Sequence, residues 1–299
     1  DINRERSLGG LPTATQQVAA GDISASPPHW FRVHGHGHNF DSMKLTIIGC
    51  GMASPDPERV CSGYHVQATG VSILLDCGPG IVHRMAVLGI DWQHLTHLCI
   101  SHFHNDHIGD VAALFFAWRW GMAQPRQDPL TVIGPKGTKK KLQQLATAFG
   151  DHISKPTFDL DIFEIEPDTR RLLGDLVHIT ADKMKHTPEA IGFRIETSNL
   201  SLGYTGDTGE SGEAAAFFHR VDTLVMECSL PDELGFPLHL TPTTAARMAN
   251  IAQPKRLVLT HAYPQLDRDA LPQLMRDAGW NGETVIATDG MTLEVGFGG

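Results

Sequence analysis

One segment constrains this chain more than any other: Leu98-Cys-Ile-Ser-His102-Phe-His104-Asn-Asp106-His107-Ile-Gly109, where an apolar run passes directly into H-x-H-x-D-H. On extended backbone, side chains two residues apart project to the same face, so His102 and His104 can share one cation. Asp106 and His107, on the turn that follows, can reach a second cation nearby. Imidazole nitrogens and carboxylate oxygens at this spacing suit zinc or a similar borderline ion. The competing reading is a polar loop with coincidental histidines, and four ligand-type side chains packed into so short a stretch weigh against it.

A cation pair needs more donors than one loop supplies, so the fold must deliver others. Three candidates follow strand-like runs: His186; Asp207, in the Gly-rich turn Gly203-Tyr-Thr-Gly-Asp-Thr-Gly; and His261, closing Leu257-Val-Leu-Thr-His. Each lies at the C-terminal end of a strand candidate, where open α/β sheets place their sites. Strands are expected at 44–49, 64–68, 72–76, 96–100, 130–133, 176–180, 191–195, 200–205, 222–226, 257–260 and 284–287. Helices are expected at 79–88, 110–120, 136–149, 211–219, 241–251 and 267–277. Thr241-Pro242 sets a capping hydroxyl before a proline suited to a first helical turn. The alternation predicts one α/β domain over residues 44–299, with sheets covered by helices.

Residues 1–43 read differently, with Gly9-Gly10, Pro27-Pro28 and a His34-Gly-His36-Gly-His38 run but no sustained apolar period. We read them as a flexible leader, linker or expression remnant whose histidine tract binds metal weakly at most. Thirty-four acidic against twenty-four basic residues give a formal charge of −10. That sign repels polyphosphate chains and disfavours a large nucleic-acid footprint. Lys139-Lys140-Lys141 reads as the solvated face of helix 136–149. No apolar run approaches the ~20 residues needed to cross a bilayer, and no membrane partner is expected. Five cysteines without a CxxC pair suggest reduced thiols in a cytoplasmic protein. Phe115, Trp118 and Met122 recur at helical spacing and read as core, the alternative being that Trp118 or Trp120 walls an apolar pocket beside the metal loop.

The whole of residues 44–299 resembles the metallo-β-lactamase superfamily and, within it, the ribonuclease Z-like branch. The motifs that carry the resemblance are H-x-H-x-D-H, Leu75-Asp76-Cys-Gly-Pro-Gly80, Tyr204-Thr-Gly-Asp207-Thr, Met226-Glu227-Cys-Ser, His239-Leu-Thr and Leu259-Thr-His261. The resemblance implies a four-layer αβ/βα sandwich with two central mixed β-sheets and a dinuclear site at one edge. It implies that His102, His104 and His186 bind one ion, that Asp106, His107 and His261 bind the other, and that Asp207 bridges them. The cofactors would be two divalent metal ions, zinc foremost, with manganese or iron compatible. Asp76 matches the family's first-motif aspartate, which supports the ligands from behind.

By the same resemblance the chain is a metal-dependent hydrolase that attacks with a metal-bound hydroxide, Asp106 counting among the catalytic side chains as well as the ligands. Two divalent ions, set against Asp106, Asp207 and a bridging hydroxide, leave a site of about +1, which suits a singly charged phosphodiester. Expelling an alkoxide needs a proton, and the resemblance implies His239 as general acid with Glu227 orienting it. The branch's His-Glu-Ala-Thr-like and His-Ser-Thr-like motifs are written here Met-Glu-Cys-Ser and His-Leu-Thr. The functional side chains are kept, while Met226 and Leu240 change their packing.

Ribonuclease Z proper inserts a long arm between the positions matched by His186 and Asp207; here only twenty residues separate them. The expected substrate is therefore a small or cyclic phosphodiester. Processing of tRNA 3′ ends comes second, so nucleic acid is not the favoured partner. Lactonase, thioesterase or arylsulfatase chemistry on the same scaffold is the further alternative, and a homodimer is the assembly the resemblance suggests.

Overall fold

The structure, a computed structural model, describes residues 42–296; the His34–His38 run and nearly all of the 1–43 segment lie outside the described residues. Two mixed sheets of seven strands form the centre. The first contains β1 (Met43–Gly49), β2 (Gly63–Ala68), β3 (Val71–Leu75), β4 (His97–Cys99), β5 (Leu130–Gly134), β6 (Leu160–Glu164) and β14 (Thr292–Glu294), in the order β14-β1-β2-β3-β4-β5-β6. The second contains β7 (Arg170–Leu173), β8 (Val177–Lys183), β9 (Ile191–Glu196), β10 (Ser201–Tyr204), β11 (Thr223–Glu227), β12 (Arg256–Thr260) and β13 (Glu283–Ile286), in the order β13-β12-β11-β10-β9-β8-β7. Each sheet is antiparallel along one half, β14 to β3 and β7 to β10, and parallel along the other.

Helices α1 (Ile81–Val87), α2 (Asn105–Ile108), α3 (Val111–Trp120) and α4 (Thr138–Phe149) follow strands of the first sheet. Helices α5 (Gly212–Phe217), α6 (Pro242–Ala252) and α7 (Leu271–Asp277) follow strands of the second. Alternation along the strands explains the layering. Leu45, Ile47, Val225 and Val258 turn into the core between the sheets. Ile48, Leu74 and Leu98 turn out to meet α1, α3 and α4, and Leu224, Met226, Leu257 and Leu259 to meet α5, α6 and α7. Each such side chain, taken fully from water, contributes roughly 1.5–3 kcal/mol, and three contiguous cores give the four layers expected. α6 opens as its sequence indicates, with Pro242 in the first turn and a capping box between Thr241 and Thr244.

Three strands fall where the sequence showed no strand period: β6, β7 and β14. Asp106 and His107 lie on the single turn of helix α2 rather than on an irregular turn. On α3, Phe115 and Trp118 are core, whereas Trp120 is 61% exposed. Trp120 walls an apolar cavity of about 580 Å³ with Phe116 and Phe149, and no candidate ligand lines it.

The C-terminal ends of β3, β4, β8, β10, β11 and β12 meet at one edge of the sandwich, and the two sheets are stitched together there. The Ile191 amide donates to Ser101 O at 3.0 Å, the Tyr204 hydroxyl donates to Asp76 at 2.6 Å, and Tyr64 Oη lies 2.7 Å from Thr260 Oγ1.

Candidate metal centre

Asp76 follows β3 with a left-handed backbone (φ 56°) and is fully buried. Its carboxylate accepts the Ser101 amide and hydroxyl, both at 2.7 Å, fixing the residue before His102. It also lies 2.7 Å from His107 Nδ1. A carboxylate there holds the proton on Nδ1 and turns Nε2 inward, toward the cluster. Three other histidines are backed through Nδ1 by hydroxyl or carbonyl groups of different elements. His102 Nδ1 is 3.1 Å from Ser101 Oγ, His186 Nδ1 donates to Leu238 O at 3.0 Å, and His261 Nδ1 is 3.1 Å from Ser229 Oγ.

All seven expected ligand residues converge in two groups. His102, His104, His186 and Asp207 form one; Asp106, His107, Asp207 and His261 form the other; in each, one donor atom per residue lies within 4.8 Å of the rest. Asp207 belongs to both: Oδ2 is 3.7 Å from the Nε2 atoms of His102 and His186, and Oδ1 is 3.2 and 3.4 Å from those of His107 and His261. Asp106 Oδ2 lies 3.3 Å from His261 Nε2.

Three of these atoms, His102 Nε2, His107 Nε2 and Asp207 Oδ1, are buried without a hydrogen-bond partner. Leaving such groups unpaired costs about 1–3 kcal/mol each, and a divalent cation among them would satisfy all three. The donor set, nitrogen with carboxylate oxygen and backing partners in place, fits a divalent cation. Burial, aided by His107, holds the His102 pKa well below the usual histidine range. Burial would raise Asp207, yet His107 and His261 keep it well below the carboxylate range. A neutral imidazole and an ionised carboxylate are the forms that ligate. Burial also pulls on His107, but Asp207 and Asp76 push its pKa well up, so a cation there displaces a proton.

Glu227 ends β11 fully buried. Its Oε1 accepts the Thr208 amide at 2.7 Å and lies 2.9 Å from His239 Nδ1. Its Oε2 accepts the Ser229 hydroxyl at 2.5 Å and the Leu240 amide at 3.1 Å. The His239 ring stacks on His261 at 5.8 Å and 15° and stands 4.8 Å from the His186 ring. Burial works to lower the His239 pKa, but the bond and charge of Glu227 outweigh it and raise it. The arrangement can hold a proton on a ring turned toward the cluster edge. The side chains at the altered motif positions Met226 and Leu240 are both buried in the apolar layer that includes α6, while the Leu240 amide still holds Glu227.

Sequence reasoning missed Ser101, Ser229 and Tyr263. The first two brace ligands from behind; the Tyr263 ring stands 6.1 and 6.2 Å from those of His261 and His239. Ser229 had a usable signal, a hydroxyl two residues beyond Glu227 at a strand end. Tyr263 had none beyond its nearness to His261.

Residues 72–262 match the family model described as the beta-lactamase superfamily domain. The chain is 30% identical over 252 residues to the uncharacterized protein Rv1339 of Mycobacterium tuberculosis, covering 81% of this chain and 88% of that one. It is 29% identical over 248 residues to a protein of Mycobacterium bovis named ribonuclease Z, covering 75% and 87%. Among solved structures it is similar to the metallo-beta-lactamase fold protein YhfI of Bacillus subtilis, with a TM-score of 0.76, 26% identity, and coverage of 85% of this chain and 100% of that one. Sheet order, strand-end donors and these likenesses agree: the chain belongs to the metallo-β-lactamase superfamily, in its ribonuclease Z-like branch.

Proposed function

We propose that this metal-dependent hydrolase is a phosphodiesterase acting on small or cyclic phosphodiesters. His102, His104, His186 and Asp207 would hold one divalent cation, and Asp106, His107, His261 and Asp207 a second, zinc foremost, with manganese or iron compatible. Such ions, when bound, supply Lewis acidity and lower the pKa of water from ~16 toward ~7. The chain's own contribution is to fix the donors, exclude other protonation states and deliver a proton. His239 gives that proton to the departing alkoxide oxygen. Glu227 keeps the His239 ring in one tautomer and stabilises its charged form, and it is itself held by Thr208, Ser229 and Leu240.

The single observation carrying the reading is the Glu227–His239 pair, stacked on His261 at the edge of the seven-residue cluster. A phosphodiester loses an alkoxide and needs that donor, whereas lactone and thioester hydrolysis depends on it less. Ribonuclease Z chemistry is the second reading, favoured by the name of the M. bovis relative. Against it, the stretch from His186 to Asp207 holds only β9, a short turn and β10, and the chain carries a charge of −10. The five free cysteines support a reducing, cytoplasmic setting, and no helix among the described residues is long and apolar enough to cross a membrane. The exposed rings of Phe116, Trp120 and Phe149 support a homodimer.

The test is turnover by the metal-loaded protein on bis(p-nitrophenyl) phosphate, a cyclic nucleotide, precursor tRNA, an acyl-homoserine lactone and a glutathione thioester. Diester and cyclic nucleotide should be cleaved fastest. Fast lactone or thioester turnover with silence on the diesters would overturn the reading, and selective 3′ trimming of tRNA would replace it with the second.

A further inference from the structure

The loop between β1 and β2 carries an ion pair that no catalytic role uses. Arg59 is buried, only 9% exposed. Its Nε and Nη2 donate to Asp56 Oδ2 at 2.9 and 2.6 Å, and its Nη1 donates to Ala262 O at 2.8 Å. The other Asp56 oxygen accepts the Glu58 and Arg59 amides at 2.9 and 3.1 Å, so the carboxylate is wedded to the loop on both sides. Ala262 follows His261, whose backbone is left-handed (φ 61°) and whose amide donates to Cys50 O at 3.1 Å, at the start of the same loop. At the loop's far end the Ser62 amide donates to Asp106 O at 3.2 Å.

The loop therefore grips the backbone at both Asp106 and His261, whose side chains approach to 3.3 Å in one cluster. The hydrogen bonds that back the other cluster run elsewhere, through Ser101 for His102 and Leu238 for His186. We propose that Arg59 is a positioning residue, locked to Asp56 and to Ala262 O, which sets the Asp106–His261 spacing and so governs the affinity of the Asp106–His107–Asp207–His261 cluster for its cation, leaving the other cluster untouched. The proposal rests on the reading that each cluster holds one cation. A neutral side chain at position 59 would leave the partly exposed Asp56 carboxylate without its cation and free the chain beyond His261 by removing the bond to Ala262 O. The fork matters as well as the charge, because a lysine is a point donor that cannot bind Asp56 and Ala262 O together in this geometry.

The experiment is metal titration of the full-length chain, stripped by chelator, with Zn²⁺ against a competing indicator and with Co²⁺ followed by absorption. The proteins are wild type, Arg59→Ala, Arg59→Lys, Asp56→Asn, and the references His261→Ala and His104→Ala. Wild type should bind two ions. Arg59→Ala should bind one as tightly as before and the second about 10–100-fold more weakly, the range expected when a ligand's support is removed. Its one-cobalt spectrum should match that of His261→Ala and differ from that of His104→Ala. Arg59→Lys should recover part of the loss. Should Arg59→Ala fail to fold, Asp56→Asn takes its place under the same criteria with a smaller expected loss. Two unaltered affinities, or both weakened alike, overturn the positioning role while leaving the two-ion reading intact. A wild type that binds fewer than two ions overturns both.

Discussion

His65 and His97 are 3% and 8% exposed, almost as deep as His102, His107 and His261, yet His65 lies inside β2 and His97 opens β4, away from the C-terminal strand ends. His65 Nε2 is 2.8 Å from Ser72 Oγ, and His97 Nδ1 is 2.8 Å from Thr96 Oγ1. Burial pushes both pKa values down to about 4. At the strand ends, three carboxylates close around the imidazoles and inward nitrogens are left bare. Depth alone therefore does not make a ligand. A histidine in a strand is answered by one neighbouring hydroxyl and stays neutral core; a histidine at the edge is braced from behind and presented to charge.

The contrast can be broken most severely at Asp207, the one donor common to both clusters. Asp207→Ala should lose both cations and all hydrolysis, read by elemental analysis and turnover; two tightly held ions would show that the carboxylate is not shared. Next, His239→Ala should keep its metal content while kcat for an alkyl leaving group falls ~10²–10⁴-fold, with a smaller fall for p-nitrophenolate, which departs without a proton. Equal losses on both substrates would remove His239 from proton transfer. Asp76→Ala should weaken metal affinity by about 10–100-fold, measured by competition titration, because His107 loses the partner that turns its Nε2 inward.

The smallest effect belongs to the strand histidines. Their folded pKa lies below the unfolded value of ~6.5, so between that value and about 4 the unfolded chain binds more protons. Stability is then full above pH ~6.5 and declines on acidification. Over that whole range the loss is roughly 3 kcal/mol per residue. His65→Asn should flatten the loss of urea resistance between pH 7 and pH 5 relative to wild type; an unchanged slope would show that His65 does not titrate with folding.

The same contrast explains what could be read in advance. The candidate ligands were legible because each is a chemically distinctive residue near the end of a strand-like run, and the two sheets because strands such as β3, β5, β11 and β12 are rich in Val, Ile and Leu. β6, β7 and β14 escaped because they are edge strands. Leu160-Asp-Ile-Phe-Glu and Arg170-Arg-Leu-Leu carry charges on exposed faces, as unpaired edges do to discourage further pairing. α2 was too short to show a period. Arg59 was opaque for another reason: it reaches a backbone carbonyl some two hundred residues away, and that leaves no spacing in the text.

Asp76 and His261 both hold left-handed backbones, a conformation that costs a residue with a β-carbon roughly 1–2 kcal/mol. Glycine would relax either position and remove the group that gives it purpose. Selection for heat tolerance alone would thus pull these two sites away from chemistry, and only continued demand for turnover holds them. A descendant of this protein freed from that demand should show glycine or asparagine at 76 and 261 before its core begins to drift.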